Sequence, residues 1–155
     1  MKLPEITLAS SVRYGNYKEH YYNALFLSDI LKEKYDEIKE FIDLPKYINI
    51  VFRPIRSAYG RAFYLKTDAP RRNRNYVVEL DVRQDIETFK NTLIHELVHI
   101  EQFYQGRLID AGPMHFKWNG KKTLINTASL DAYNNLPWEI EANVRAEMVS
   151  SVVFT

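Results

Sequence analysis

His95-Glu96-Leu97-Val98-His99 sets two imidazoles four residues apart with a carboxylate between them. On an α-helix that spacing turns by about 40° and rises by roughly 6 Å, so both rings face one side and can meet one metal ion. Glu96, beside His95, is then in reach of a water that the metal activates and can serve as its general base. The chemistry this pattern points to is metal-assisted hydrolysis, most often of a peptide bond.

A catalytic zinc ion takes three protein ligands and keeps its fourth position for water or substrate. Two histidines leave one ligand to be found. The chain has no cysteine, so that ligand must be a histidine or a carboxylate. Downstream, Pro137-Trp138-Glu139-Ile140-Glu141-Ala142-Asn143 offers two glutamates, and the Glu-x-Glu spacing leaves open which of them turns inward. His115, in Gly112-Pro113-Met114-His115-Phe116-Lys117-Trp118, is a further candidate. Hydrolysis also places negative charge on the former carbonyl oxygen, only part of which a zinc ion neutralises. His115 and Tyr133 are the side chains available to contact the substrate or its transition state, although an aromatic residue before a helix also serves to pack it. His20, among tyrosines, has no partner in the sequence and reads as structural or exposed.

These residues need elements to hold them. Over residues 16–42, Tyr21, Tyr22, Leu25, Phe26, Ile30, Leu31, Ile38 and Phe41 recur at helical spacing, which predicts one long helix or two broken near Lys34. Pro45 ends it. Residues 47–53 are rich in β-branched and aromatic types and predict a strand, with a shorter one at 60–65. Residues 68–75 carry three arginines, a proline and two asparagines, the composition of a solvated loop or of a contact for an acidic partner. Tyr76, Val78, Leu80 and Val82 alternate with Glu79 and Asp81, the period of a half-buried strand.

Asp85 is suited to cap a helix whose apolar stripe runs through Ile86, Phe89, Leu93, Leu97, Ile100 and Tyr104 and ends at Gly106. His95 and His99 fall beside that stripe. Residues 114–118 and 121–125 flank Asn119-Gly120, a hairpin signal. Leu136-Pro137 then opens a final helix over 138–149, proline being tolerated in a first turn.

The two histidines and Glu96, taken with Glu139-Ile140-Glu141-Ala142-Asn143, resemble the glutamate-ligand branch of the zincin metallopeptidases, in particular small single-domain members from phages and bacteria. The similarity covers residues 47–149 in layout. It implies an α+β zincin-like domain spanning residues 1–155: an N-terminal helix, a short, twisted, mostly antiparallel sheet, the histidine helix, and a C-terminal glutamate helix. It also implies one zinc ion on His95, His99 and Glu139, with Glu96 as catalytic base and Asn143 orienting a histidine from behind. Glu141 remains the competing ligand. A sheet edge, residues 60–65 or 76–82, would align a protein or peptide substrate as an added strand.

The SprT-like group of DNA-associated proteases shares the histidine motif and takes a later histidine as third ligand, a role open here to His115. A zincin fold kept only as a binding module is the remaining alternative, and the intact Glu96 argues against it.

Composition bounds these readings. At 155 residues and 46% apolar content the chain suits one domain with a real core. A formal charge of +1 gives no global argument for nucleic acid or an anionic membrane, leaving only a local patch such as that around Arg71. No run approaches the ~18 apolar residues of a membrane span, and the first residues lack a charged head followed by an apolar stretch. The expectation is a cytoplasmic protein of a bacterium or infected host cell.

Overall fold

The computed structural model describes residues 3–66, 69–125 and 129–155. Met1 and Lys2 of the amino-terminal stretch and Asp68 of the arginine-rich loop lie outside these. The fold is α+β. Among the described residues it comprises a four-stranded sheet, a three-stranded sheet and five α-helices: β1 (Glu5–Leu8), α1 (Ser10–Arg13), α2 (Lys18–Phe41), β2 (Ile48–Arg53), β3 (Gly60–Tyr64), β4 (Tyr76–Asp81), α3 (Ile86–Tyr104), β5 (Leu108–Asp110), β6 (His115–Trp118), β7 (Lys121–Leu124), α4 (Leu130–Asn134) and α5 (Pro137–Val153). No helix among them is long and apolar enough to cross a membrane.

The larger sheet has the order β1-β2-β4-β3. The expected antiparallel character holds for the β5-β6-β7 sheet, but the larger sheet is mixed: β1 with β2 and β2 with β4 run parallel, and only β3 with β4 runs antiparallel. A parallel pair needs a long crossover, and α1 with α2 supplies the one between β1 and β2. A strand therefore precedes the long helix expected as the first element. Its four residues are too few for alternation to stand out in sequence.

One face of this sheet carries the core. Ile48, Ile50 and Phe52 of β2 lie opposite Tyr76, Val78 and Leu80 of β4, and all six are buried. The other face carries Arg53, Glu79 and Asp81. Glu79 and Asp81 do point away from the helices, yet both are buried, each covered by an arginine: Arg53 Nη1 lies 2.8 Å from Glu79 and Arg83 Nε 3.0 Å from Asp81.

The long helix α2 is continuous through Lys34, and its buried stripe is Ala24, Leu27, Ser28, Leu31, Tyr35 and Ile38. Of the apolar positions that predicted it, Leu31 and Ile38 are buried, whereas Tyr22, Leu25, Phe26 and Phe41 face outward.

The centre of the molecule is α3. Asp85 accepts the Thr88 amide at 2.8 Å, the cap its position implied. From Leu93 to Phe103 every residue except His95 is buried, because the sheet packs on one side and α5 on the other. Ala142 and Ala146 of α5 are fully buried and permit this close helix pairing. The helix ends in a Schellman turn: the Gly106 amide donates to Phe103 and that of Arg107 to Gln102, with Gly106 at φ 74°. A left-handed residue there reverses the chain and returns Arg107 over the last turn of α3.

Candidate metal centre

His95 and His99 leave α3 toward α5, where Pro137 at the first helical position brings Glu139 into the opening turn. Three side chains converge. His95 Nε2 lies 3.1 Å from Glu139 Oε1, His99 Nε2 lies 2.8 Å from Glu139 Oε2, and the two Nε2 atoms are 3.1 Å apart. The rings stand nearly perpendicular, at 84°. Zinc–nitrogen and zinc–oxygen bonds of about 2.0–2.1 Å in a tetrahedron separate neighbouring ligand atoms by roughly 3.3 Å. The observed separations, 2.8 to 3.1 Å, are somewhat shorter, so the three donors need only part slightly to hold such an ion.

Glu96 is the second carboxylate in the cluster, its ligand atoms and those of both histidines lying within 4.8 Å of one another. Glu139 is the better-placed third donor, since among the described residues it is the carboxylate in hydrogen-bond contact with both imidazoles. Glu96 is buried and its Oε2 has no hydrogen-bond partner among the described residues. Such an atom beside side chains that could hold a cation is placed to take and return a proton.

Charge follows this geometry. Burial pushes the Glu139 carboxyl up, but hydrogen bonds from His95 and His99 outweigh it and hold the group at about 2. Burial pulls His99 down, yet the Glu139 bond and the charges of Glu96 and Glu139 carry it up to about 9. For Glu96, burial dominates and raises the carboxyl, the histidine charges opposing and Glu139 reinforcing the rise. The site thus holds negative charge that a cation, or a proton in its place, must balance.

Behind the cluster, Gln102 Oε1 lies 2.8 Å from His99 Nδ1. Asn143, expected in that role, is exposed. A support three residues along the same helix was open to sequence reasoning, because i and i+3 share a face. Glu141 turns away from the cluster into an ion pair with Arg107 at 2.8 Å.

The structure does not bring His115 into the cluster. Its Nδ1 lies 2.9 Å from the Pro113 carbonyl, and alternation along β6 sends it to the face opposite Phe116, which lines the cleft. Tyr133 does reach the site, at the cleft's rim: burial, then the carboxylates of Glu139 and Glu96, raise its phenol well above the ordinary value. His20 is half-buried, away from the cluster, with its ring 5.2 Å from that of the exposed Tyr17.

The cleft over the cluster has a volume of about 410 Å3. One wall is the outer edge of β3 with Gly60, Arg61, Ala62 and Phe63; the other is apolar, with Phe103, Phe116, Leu136 and Trp138. Of the two strands expected to offer an edge, β3 lies at the sheet's border and β4 inside it. No protein-family model, curated protein or solved structure matches this chain. Its chemistry is read from its own residues.

Proposed function

We propose that this protein is a zinc-dependent metallopeptidase of zincin-like fold, with His95, His99 and Glu139 as ligands and Glu96 as general base. The observation that carries the reading is the convergence of the three ligand side chains within 3.1 Å of one another, beside a buried carboxylate with an unpartnered oxygen. The donor set, two imidazoles and one carboxylate, suits zinc and leaves a position open. When bound, the ion would polarise a peptide carbonyl and make an attacking water acidic.

The chain's own residues supply the rest. Glu96 Oε2 accepts the proton of the attacking water and returns it to the departing amine, so that one carboxyl acts first as base and then as acid. Burial favours its protonated form between these two steps. The Tyr133 hydroxyl, held protonated, donates toward the oxygen on which charge accumulates. An extended peptide pairs with the free edge of β3 and lies across the cluster. The apolar wall excludes water from the reacting bond.

The test is a mass-spectrometric survey of cleavage in a diverse peptide mixture, run with the zinc-loaded protein and with Glu96→Gln. Cleavage by the wild type, with loss in Glu96→Gln at unchanged zinc content, is the expected result. A wild type that binds zinc but cuts no peptide, and whose biological effect survives Glu96→Gln, identifies a binding module instead.

A further inference from the structure

Gln102 has no exposed surface, and each of its polar atoms has an assigned partner. Nε2 donates to the Trp138 carbonyl at 3.1 Å and to Glu141 Oε1 at 3.1 Å, while Oε1 faces His99 Nδ1 at 2.8 Å. Turned over, the amide would set its oxygen against a carbonyl and a carboxylate, neither of which has a proton to offer. The groups on the Nε2 side therefore fix the orientation. Glu141 is itself clamped by Arg107, whose Nη1 and Nη2 reach Oε2 at 2.8 Å and Oε1 at 2.9 Å, a bidentate pair. The Schellman turn after α3 places Arg107 there, and Trp118 supports its guanidinium at 5.3 Å.

We infer that Glu141 and Arg107, neither of them in the ligand cluster, set the metal-binding tautomer of His99 through the Gln102 amide. The inference rests on the zinc reading above. With Oε1 toward the ring, the imidazole proton sits on Nδ1 and the Nε2 lone pair is directed at the space shared with His95 and Glu139. An amide turned over would present its NH2 to Nδ1, move the ring proton to Nε2, and block the ligand position. Glu141 is thus a positioning residue: its negative charge keeps the amide from turning, and Arg107 keeps the carboxylate in place.

The experiment measures zinc affinity by competition with a chromogenic chelator, and the His99 Nδ1–H resonance of the zinc-loaded protein labelled with 15N-histidine. Glu141→Ala, Gln102→Glu and the double variant Gln102→Glu/Glu141→Gln are compared, with near-UV circular dichroism as the check on folding. Glu141→Ala is expected to bind zinc about 10–100-fold more weakly and to exchange the Nδ1 proton faster. Gln102→Glu sets a carboxylate against the Trp138 carbonyl and Glu141, and weakens binding too. Adding Glu141→Gln gives that carboxylate a donor and restores most of the affinity, a rescue that a merely space-filling role would not produce.

Wild-type affinity and an unchanged resonance in Glu141→Ala, or a folded double variant without recovery, overturns the inference while the zinc reading stands. A wild type that takes up no zinc overturns both.

Discussion

A Cβ added to Gly60 would lie 2.9 Å from Cγ of Glu96 and 2.8 Å from Cγ2 of Thr92. The edge strand and the histidine helix touch at this point, and glycine is what lets Glu96 seat beneath the strand. Replacing Gly60 with valine must displace the helix, the strand or the carboxylate. We expect a stability loss of about 1–3 kcal/mol. Peptide cleavage should fall further than this loss explains, because zinc binding depends on other side chains; paired measurements of Tm, zinc content and kcat check this.

Tyr133 stands beside Glu139 and Glu96, and these carboxylates, after burial, hold its phenol protonated. Tyr133→Phe keeps the ring and removes the donor. Turnover should drop by about a hundredfold with zinc content unchanged. A loss confined to KM would place the hydroxyl on the substrate's resting state instead.

On the proposed reading zinc displaces a proton from His99, which the Glu139 bond and nearby carboxylates carry up to about 9. Isothermal titration in buffers of different ionisation enthalpy should report release of about one proton per zinc at pH 7, with affinity rising as pH increases toward 9. The stability of the zinc-free protein runs the other way. The His99 contribution is complete below the ordinary histidine value of 6.5 and is lost as pH climbs through about 9. The Glu139 contribution is complete above the ordinary glutamate value of 4.5 and is lost as pH falls through about 2. Thermal melts of the zinc-free protein should therefore decline between pH 6.5 and 9, and zinc should raise Tm most at the upper end.

Helices α3 and α5 and the strands β2, β3 and β4 were legible because periodicity and capping are local: Asp85 caps α3 where its side chain predicts, and Pro137 opens α5; α4, which carries Tyr133, has only five residues, too few for a period to show. What lay beyond sequence depends on packing. Which glutamate of Glu-x-Glu turns inward follows from how α5 rests on α3 through Ala142 and Ala146, and from Arg107, which draws Glu141 aside. The i+3 spacing of Gln102 from His99 was visible in sequence, but that Gln102 and not Asn143 supports His99 was decided by the same docking, since the Trp138 carbonyl and Glu141 fix the amide. The parallel pairing of β1 with β2 was hidden because a four-residue strand after Pro4 has too little alternation to register.

His115 shares the residue type of a ligand and not its place. His115→Ala should retain a full equivalent of zinc, whereas Glu139→Ala should not, as metal analysis after dialysis would register. Loss of zinc with His115 and retention without Glu139 would shift the protein toward the SprT-like arrangement.

The most direct test of the central claim is anomalous diffraction at the zinc edge from crystals grown with zinc. A single strong peak is expected between His95 Nε2, His99 Nε2 and the Glu139 carboxylate, with Glu96 next to it and unbound. A peak held by Glu141 or His115, or none between the two imidazoles, would contradict it.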